Sequence, residues 1–220
     1  MTSKQGQSGF TLVEIAIVLV IIGLLLGGIL KGQEMITQAK IKNVVADFSG
    51  ISAAYYGYQD RYRAIPGDDK GANARWGATD GDGNGIVTGT YNNGGAACVA
   101  TVESCSWWDH LRRAGFVAGN GALQPFNAVT GLIGVQTGTG TATPASVLGG
   151  FASLMICSSG LPDKIAIAVD TQMDDGQPDK GTVRATLHTA GPNPNIDAST
   201  TVASAFAETG TNVYTLCRAL

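Results

Sequence analysis

The chain has little of what enzymes and nucleic-acid binders use. It holds two histidines, His110 and His188, in 220 residues, and charged side chains make up only 14% of it. It has no G-x-S-x-G turn, no phosphate-cradling G-x-x-x-x-G-K, and no free thiol matched to a histidine. Carboxylates at Asp68, Asp69, Asp80, Asp82, Asp170, Asp174, Asp175 and Asp179 could supply a glycosidase pair, but they sit in Gly-rich turns where a solvated or metal-bound role is simpler. The expected protein is therefore not an enzyme. A formal charge of −3 leaves no polybasic footprint, so nucleic acid is not indicated as a partner. With charge scarce and 31 glycines present, the composition suits loops and short strands better than a helical bundle.

One further absence is local. Between Phe10 and Leu30 there is no Lys, Arg or His, and only Thr11 and Glu14 are polar. These residues, about 21 of them, are enough for one helix to span the ~30 Å hydrocarbon core of a bilayer. A carboxylate at that depth costs at least about 2.5 kcal/mol, so Glu14 reads as functional. A cut between Gly9 and Phe10 would place a new α-amino group four positions before Glu14, on the same helix face. Processing would thus create the missing countercharge. An ordinary signal anchor that merely tolerates the Glu is the plainer alternative. A secretory signal peptide fits less well, because the run exceeds the usual 7 to 15 residues and no A-x-A-like site follows it. Lys4 precedes the run and Lys31 follows it, so flanking charge alone does not set the orientation.

Lys4, Gly9, Phe10, Thr11, Leu12 and Glu14, followed by the long apolar run, resemble the N-terminal signature of type IV pilins and related prepilin-type proteins. The resemblance implies cleavage after Gly9 by a prepilin peptidase and methylation of the Phe10 amine. It further implies an inner-membrane assembly platform and a role for Glu14 in docking the subunit into a growing filament. Membrane lipid would hold the single-pass helix before assembly, and an extracellular or periplasmic filament of like or related pilin subunits would hold it afterwards. Major pilin, minor pilin and type II secretion pseudopilin remain open within this class. A calcium-dependent adhesin or other binding module displayed by the same machinery is the alternative from a different class.

The expected fold is α+β and pilin-like: a long N-terminal helix packed on a small antiparallel β-sheet with long loops. Residues 1–9 form the leader, 10–64 the long helix with 10–30 as its membrane or filament-core half, and 65–220 a globular domain. Val44, Phe48, Ile51, Tyr55, Tyr58 and Tyr62 recur at alternating three- and four-residue spacings, one stripe of a continuing helix that should pack on that domain. Pro66 and Gly67 should end it. A looser likeness to a subgroup of prepilin-type proteins extends over Pro66 to Asp69, Trp76-Gly77, the loop after Asp80, Glu103 and Trp108 to Gly115.

Asp80, Asp82 and Asn84 open like a calcium loop, with Ile86 placed to offer its carbonyl, but Tyr91 stands where the closing Glu belongs. Glu103, or Asp68 and Asp69, could complete the oxygen set for Ca²⁺ if folded close. A turn cluster without metal is the competing reading. Asp174, Asp175 and Asp179 form a second oxygen-rich turn. Residues 104–114 read as a short helix with Ser104 as N-cap, Gly115 as stop and His110 as a packing or surface residue. Strands are expected over 129–135, 151–157, 164–170, 182–188 and 213–217, with Ser158 to Pro162 as a turn and 137–143 as a polar loop. Four cysteines beyond the apolar run suggest two disulfides in an oxidising compartment. Four cysteines allow three connectivities; Cys98 with Cys105 and Cys157 with Cys217 is favoured, because the first would close a short local loop and the second would tie down the end of the chain.

Overall fold

The computed structural model describes residues 11–138, 147–188, 191–197 and 200–220. By internal contacts the chain divides into two units, residues 1–39 and residues 40–220. Helix α1, Leu12–Tyr62, contributes to both.

In the first unit no described residue is buried. From Leu12 to Leu30 apolar residues succeed one another with no polar face, so helical hydrogen bonds satisfy the backbone while the described side chains stay exposed. Leu12 is 91% exposed and Leu30 66% exposed. This segment is long and apolar enough to cross a membrane.

The second unit begins where α1 becomes amphipathic. Ile41, Val44, Phe48, Ile51, Tyr55 and Tyr58 are buried on one stripe, as their spacing requires. The helix ends at Tyr62 rather than at residue 64, because Arg63 turns into the left-handed region at φ 55°. Beyond it come α2, Ala72–Trp76, and α3, Glu103–Arg113. The N-cap of α3 is Val102, not Ser104. Ser104 instead donates its hydroxyl to the Thr90 carbonyl at 3.1 Å, fastening the helix to the loop before it. Gly115 takes φ 80° just beyond the last turn, a conformation that suits glycine.

Strands β1 (Ile133–Thr137), β2 (Leu154–Pro162), β3 (Val183–Leu187) and β4 (Val213–Ala219) form one antiparallel sheet in the order β1-β2-β4-β3. Two expectations fail here. Ser158 to Pro162 is not a turn. It continues β2 through an irregularity between Ser158 and Leu161, where Gly160 sits at φ 71°. The polar side chains that suggested a turn are satisfied inside the fold: Asn127 donates to Ser158 Oγ at 2.8 Å, and Ser159 Oγ accepts the Leu132 N–H at 2.9 Å. Residues 164–170 are not a strand but most of helix α4, Asp163–Met173. The run Ile165-Ala-Ile-Ala-Val169 alternates in size, which mimics a strand over so short a window. Pro162 and Asp163 decide otherwise: Asp163 accepts the Lys164, Thr209 and Gly210 amides and anchors the helix start to the loop before β4. The polar run at 137–143 lies mostly outside the described residues.

The sheet is covered on both faces. Leu154, Ile156, Tyr214 and Leu216 share a core with the second half of α1, with α3 and with α4. Met155, Cys157 and Cys217 pack with Tyr91, Leu148, Phe151 and Ile196, which come from loops. Burial on both sides explains why β2 reads as a nearly unbroken apolar run rather than an alternating one. The long loops thus form the second wall of the sheet. Gly134 in β1 shows how close they come: a Cβ there would lie 1.9 Å from the Tyr91 carbonyl oxygen.

Candidate functional site

Three places gather the residues singled out by the sequence, and the first is the start of α1. Gly9 and Phe10 lie outside the described residues, but Thr11 and Glu14 are described. Glu14 Oε2 accepts the Thr11 backbone N–H and the Thr11 hydroxyl, each at 2.8 Å, and Thr11 Oγ1 accepts the Glu14 N–H at 3.3 Å. This reciprocal capping box fixes the first turn. The sequence reading looked for a countercharge to Glu14 and overlooked this local partner, although Thr-x-x-Glu ahead of an apolar run is its signature. The bonds hold the carboxylate back toward the backbone of residue 11, next in the chain to the Phe10 nitrogen. Past it the helix presents only apolar side chains until Lys31, which pairs with Glu34 at 2.8 Å.

The second place is where the turn before α2, the loop after it and the first residue of α3 meet. One carboxylate oxygen each from Asp68, Asp82 and Glu103 lies within 4.8 Å of the others. Asp80, the first residue of the expected calcium loop, is not in that group. It is exposed, and its Oδ1 accepts the Asn73 N–H at 2.7 Å. Asn84 lies beside the group, its side-chain amide donating to Asp82 Oδ2 at 2.7 Å while its Oδ1 accepts the Ile86 N–H at 2.7 Å.

The carboxylates that do converge already serve as acceptors for the backbone. Asp68, 4% exposed, takes the amides of Gly83 and Asn84 on Oδ1 and of Gly85 on Oδ2. Burial raises its pKa, and these amides oppose the rise. Glu103 accepts Asp82 N–H on Oε1 at 3.1 Å, and the Thr88 amide and hydroxyl on Oε2 at 2.8 and 2.7 Å. Asp82 accepts from Asn84 on both oxygens. Side-chain carboxylates here take the place of sheet partners for a strandless segment.

His110, on α3, locks the same region from below. It is fully buried, its Nδ1 accepts the Gly67 N–H at 2.9 Å, and its Nε2 lies 2.8 Å from the Thr79 carbonyl. Those partners require a neutral ring with the proton on Nε2. Burial lowers its pKa, with Asp69 and Asp109 pulling the other way. Its ring stacks on Tyr58 at 6.5 Å. Tyr58 in turn donates its hydroxyl to Asp69, which also pairs with Arg75.

The structure joins Cys98 to Cys105 and Cys157 to Cys217, with Cα–Cα distances of 5.4 and 4.0 Å. The second pair links residues directly opposite each other in β2 and β4.

The third place is the end of α4, where carboxylate oxygens of Asp170, Asp174 and Asp175 lie within 4.8 Å of one another. Asp179 is not among them. Asp170 has no exposed surface, and neither of its oxygens has a hydrogen-bond partner. Burial, and then the charges of Asp174 and Asp175, push its pKa up to about 7.

With this geometry in view, comparison with known proteins is informative mainly at the N-terminus. Residues 4–30 match the prokaryotic N-terminal methylation motif. Among solved structures, the chain is similar to the major type IV pilin PilA1 from Clostridium difficile, at 11% identity over 84% of this chain and 96% of that one, with a TM-score of 0.39. No match was found among curated proteins.

Proposed function

We propose that this chain, whose residues 4–30 carry the prokaryotic N-terminal methylation motif, is a structural subunit of a type IV pilus-like filament. It is made as a prepilin and anchored in the inner membrane by the apolar part of α1 until assembly. The observation that carries this reading is that motif coinciding with a wholly apolar, unburied helical segment that opens on Glu14.

The mechanism follows from where charge sits. Cleavage after Gly9 by a prepilin peptidase exposes the Phe10 amine one residue before Thr11, and the capping box already holds the Glu14 carboxylate on that side of the helix. In lipid both charges are costly. When the subunit leaves lipid through the assembly platform, pairing of Glu14 with the Phe10 amine of a neighbouring subunit offsets part of that cost and fixes the register. The apolar side chains from Leu12 to Leu30 then exchange lipid for the helices of other subunits. Two disulfides in residues 40–220 suit the oxidising side of the membrane, where the filament domain would be displayed.

The test is the intact mass, without reduction, of protein isolated from its native host. A mass matching residues 10–220 plus one methyl group and minus four hydrogens supports the reading. A mass retaining the leader overturns it, because an uncut chain has no Phe10 amine for Glu14.

A further inference from the structure

We propose that Asp170, Asp174 and Asp175 form a site for a hard divalent cation, Ca²⁺ by preference, which fastens the end of α4 to the start of β3. The inference rests on the mismatch between what these groups need and what the protein gives them.

Asp170 is fully buried, yet neither carboxylate oxygen has a hydrogen-bond partner. Asp68 and Asp163, the other buried carboxylates that organise turns, show the contrast. Each accepts three backbone amides. A buried carboxyl left without partners is destabilising in either protonation state: as an anion it lacks compensating charge, and as an acid its hydroxyl has no acceptor. Its neighbours make this worse. Asp174 and Asp175 bring two further carboxylates to the C-terminal end of α4, where the helix dipole is already negative and the last turn holds no basic residue. Among the described residues no Lys or Arg pairs with any of the three. Lys180, the nearest in the turn, donates to Gln177 Oε1. Arg184 donates to the Leu148 carbonyl and lies over the Phe151 ring.

The three side chains also come close enough to share one ion, and two of them keep an oxygen to spare. Asp174 uses Oδ2 to accept the Thr182 and Val183 amides, and Asp175 uses Oδ1 to accept the Gln177 amide. Those bonds fix two carboxylates and leave one oxygen on each without a protein partner. Oxygens bound to one Ca²⁺ at about 2.4 Å lie at most about 4.8 Å apart, and the three carboxylates meet within 4.8 Å. Asp175 is exposed and Asp174 half-buried, so water can complete the shell on the outer side. A cation here would also bridge α4 to β3 through Asp174, whose amide bonds already reach the first residue of that strand.

The Asp68, Asp82 and Glu103 group differs in the feature that decides the matter. Its carboxylates are saturated by amides and a hydroxyl, and no buried oxygen there lacks a partner.

The experiment uses the full chain in detergent, freed of metal with a chelator and titrated with CaCl₂ by calorimetry, with thermal unfolding followed in parallel. Wild type should bind Ca²⁺ with a dissociation constant in the range of about 10⁻⁴ to 10⁻³ M seen for extracellular sites, and its Tm should rise on binding. Asp175→Asn alters an exposed side chain and, with one negative charge fewer beside Asp170, should melt no lower than wild type in chelator. It should lose one equivalent of bound Ca²⁺ or bind it at least about tenfold more weakly, because a charged ligand is removed. Asp82→Asn with Glu103→Gln should retain that equivalent. Absence of any Ca²⁺-dependent heat or Tm rise in wild type overturns the proposal. So does undiminished binding in Asp175→Asn, or loss of binding only in the Asp82 and Glu103 variant.

Discussion

Thr11 and Glu14 hold each other in a reciprocal pair of hydrogen bonds at the first turn of α1. The carboxylate is therefore oriented by its own chain. The cap and the docking charge proposed for Glu14 are separable by mutation. Glu14→Ala removes both; Thr11→Ala removes only part of the cap, worth about 1 kcal/mol. Glu14→Ala should insert and be processed normally yet reduce the sheared filament fraction severalfold relative to the membrane pool, whereas Thr11→Ala should reduce it much less. Normal filament yield from Glu14→Ala would remove the docking role.

How much of this was legible in the sequence depends on the range of the interaction. The apolar run and the Tyr-rich stripe of α1 are local periodicities, and both appear as read. Helix α4 was missed because Ile165, Ile167 and Val169 fit either period, and the deciding contact, Asp163 with Thr209 and Gly210, comes from far along the chain. The loop carboxylates show the same limit: spacing puts Asp80 first and can offer Asp68 and Glu103 only as residues that could fold close, whereas folding brings Asp68, Asp82 and Glu103 together without Asp80. Asp170 stands in the sequence as one carboxylate among eight, since only tertiary packing reveals that a carboxylate on an amphipathic segment is buried without partners.

The disulfides should contribute unequally. Cys157 and Cys217 are separated by 60 positions and Cys98 and Cys105 by 7. On chain-entropy grounds the first constrains the unfolded chain by about 4 kcal/mol and the second by about 2 kcal/mol. Replacing Cys157 and Cys217 together by Ala should therefore lower the Tm more than replacing Cys98 and Cys105. All four sulfurs are in buried residues, so Ala leaves no unpaired polar group in either case. Equal losses would show that native packing, not loop closure, sets their worth.

His110 predicts an acid-sensitive loop. Its pKa is lowered in the folded protein from an ordinary value of 6.5. As pH falls below 6.5 the unfolded chain takes up a proton that the folded chain resists, so stability declines until the folded pKa is reached. Protonation at Nδ1 would also break the bond from the Gly67 amide. His188, likewise lowered by burial, adds the same sign. The Tm of wild type should drop more steeply between pH 6.5 and 5 than that of His110→Asn, and nuclear magnetic resonance should show the His110 ring neutral, with its proton on Nε2, at pH 6.5. Parallel Tm profiles for the two proteins would refute the assignment.

The segments on either side of α2 yield the sharpest contrast between sequence spacing and folded geometry. Asp80 is exposed and accepts one amide, so Asp80→Asn should change stability by less than about 1 kcal/mol, since Asn keeps an acceptor for it. Asp68 is buried and accepts three amides across both oxygens. Asn at 68 keeps one acceptor oxygen, but its amide group must then face a backbone N–H. Two donors would meet with no water to separate them. Asp68→Asn should therefore cost about 2 kcal/mol and raise hydrogen exchange at Gly83, Asn84 and Gly85 while leaving the sheet amides of β2 and β4 protected. If Asp80→Asn proved the more damaging change, the carboxylates would be acting as a metal loop opened by Asp80 rather than as acceptors for the backbone.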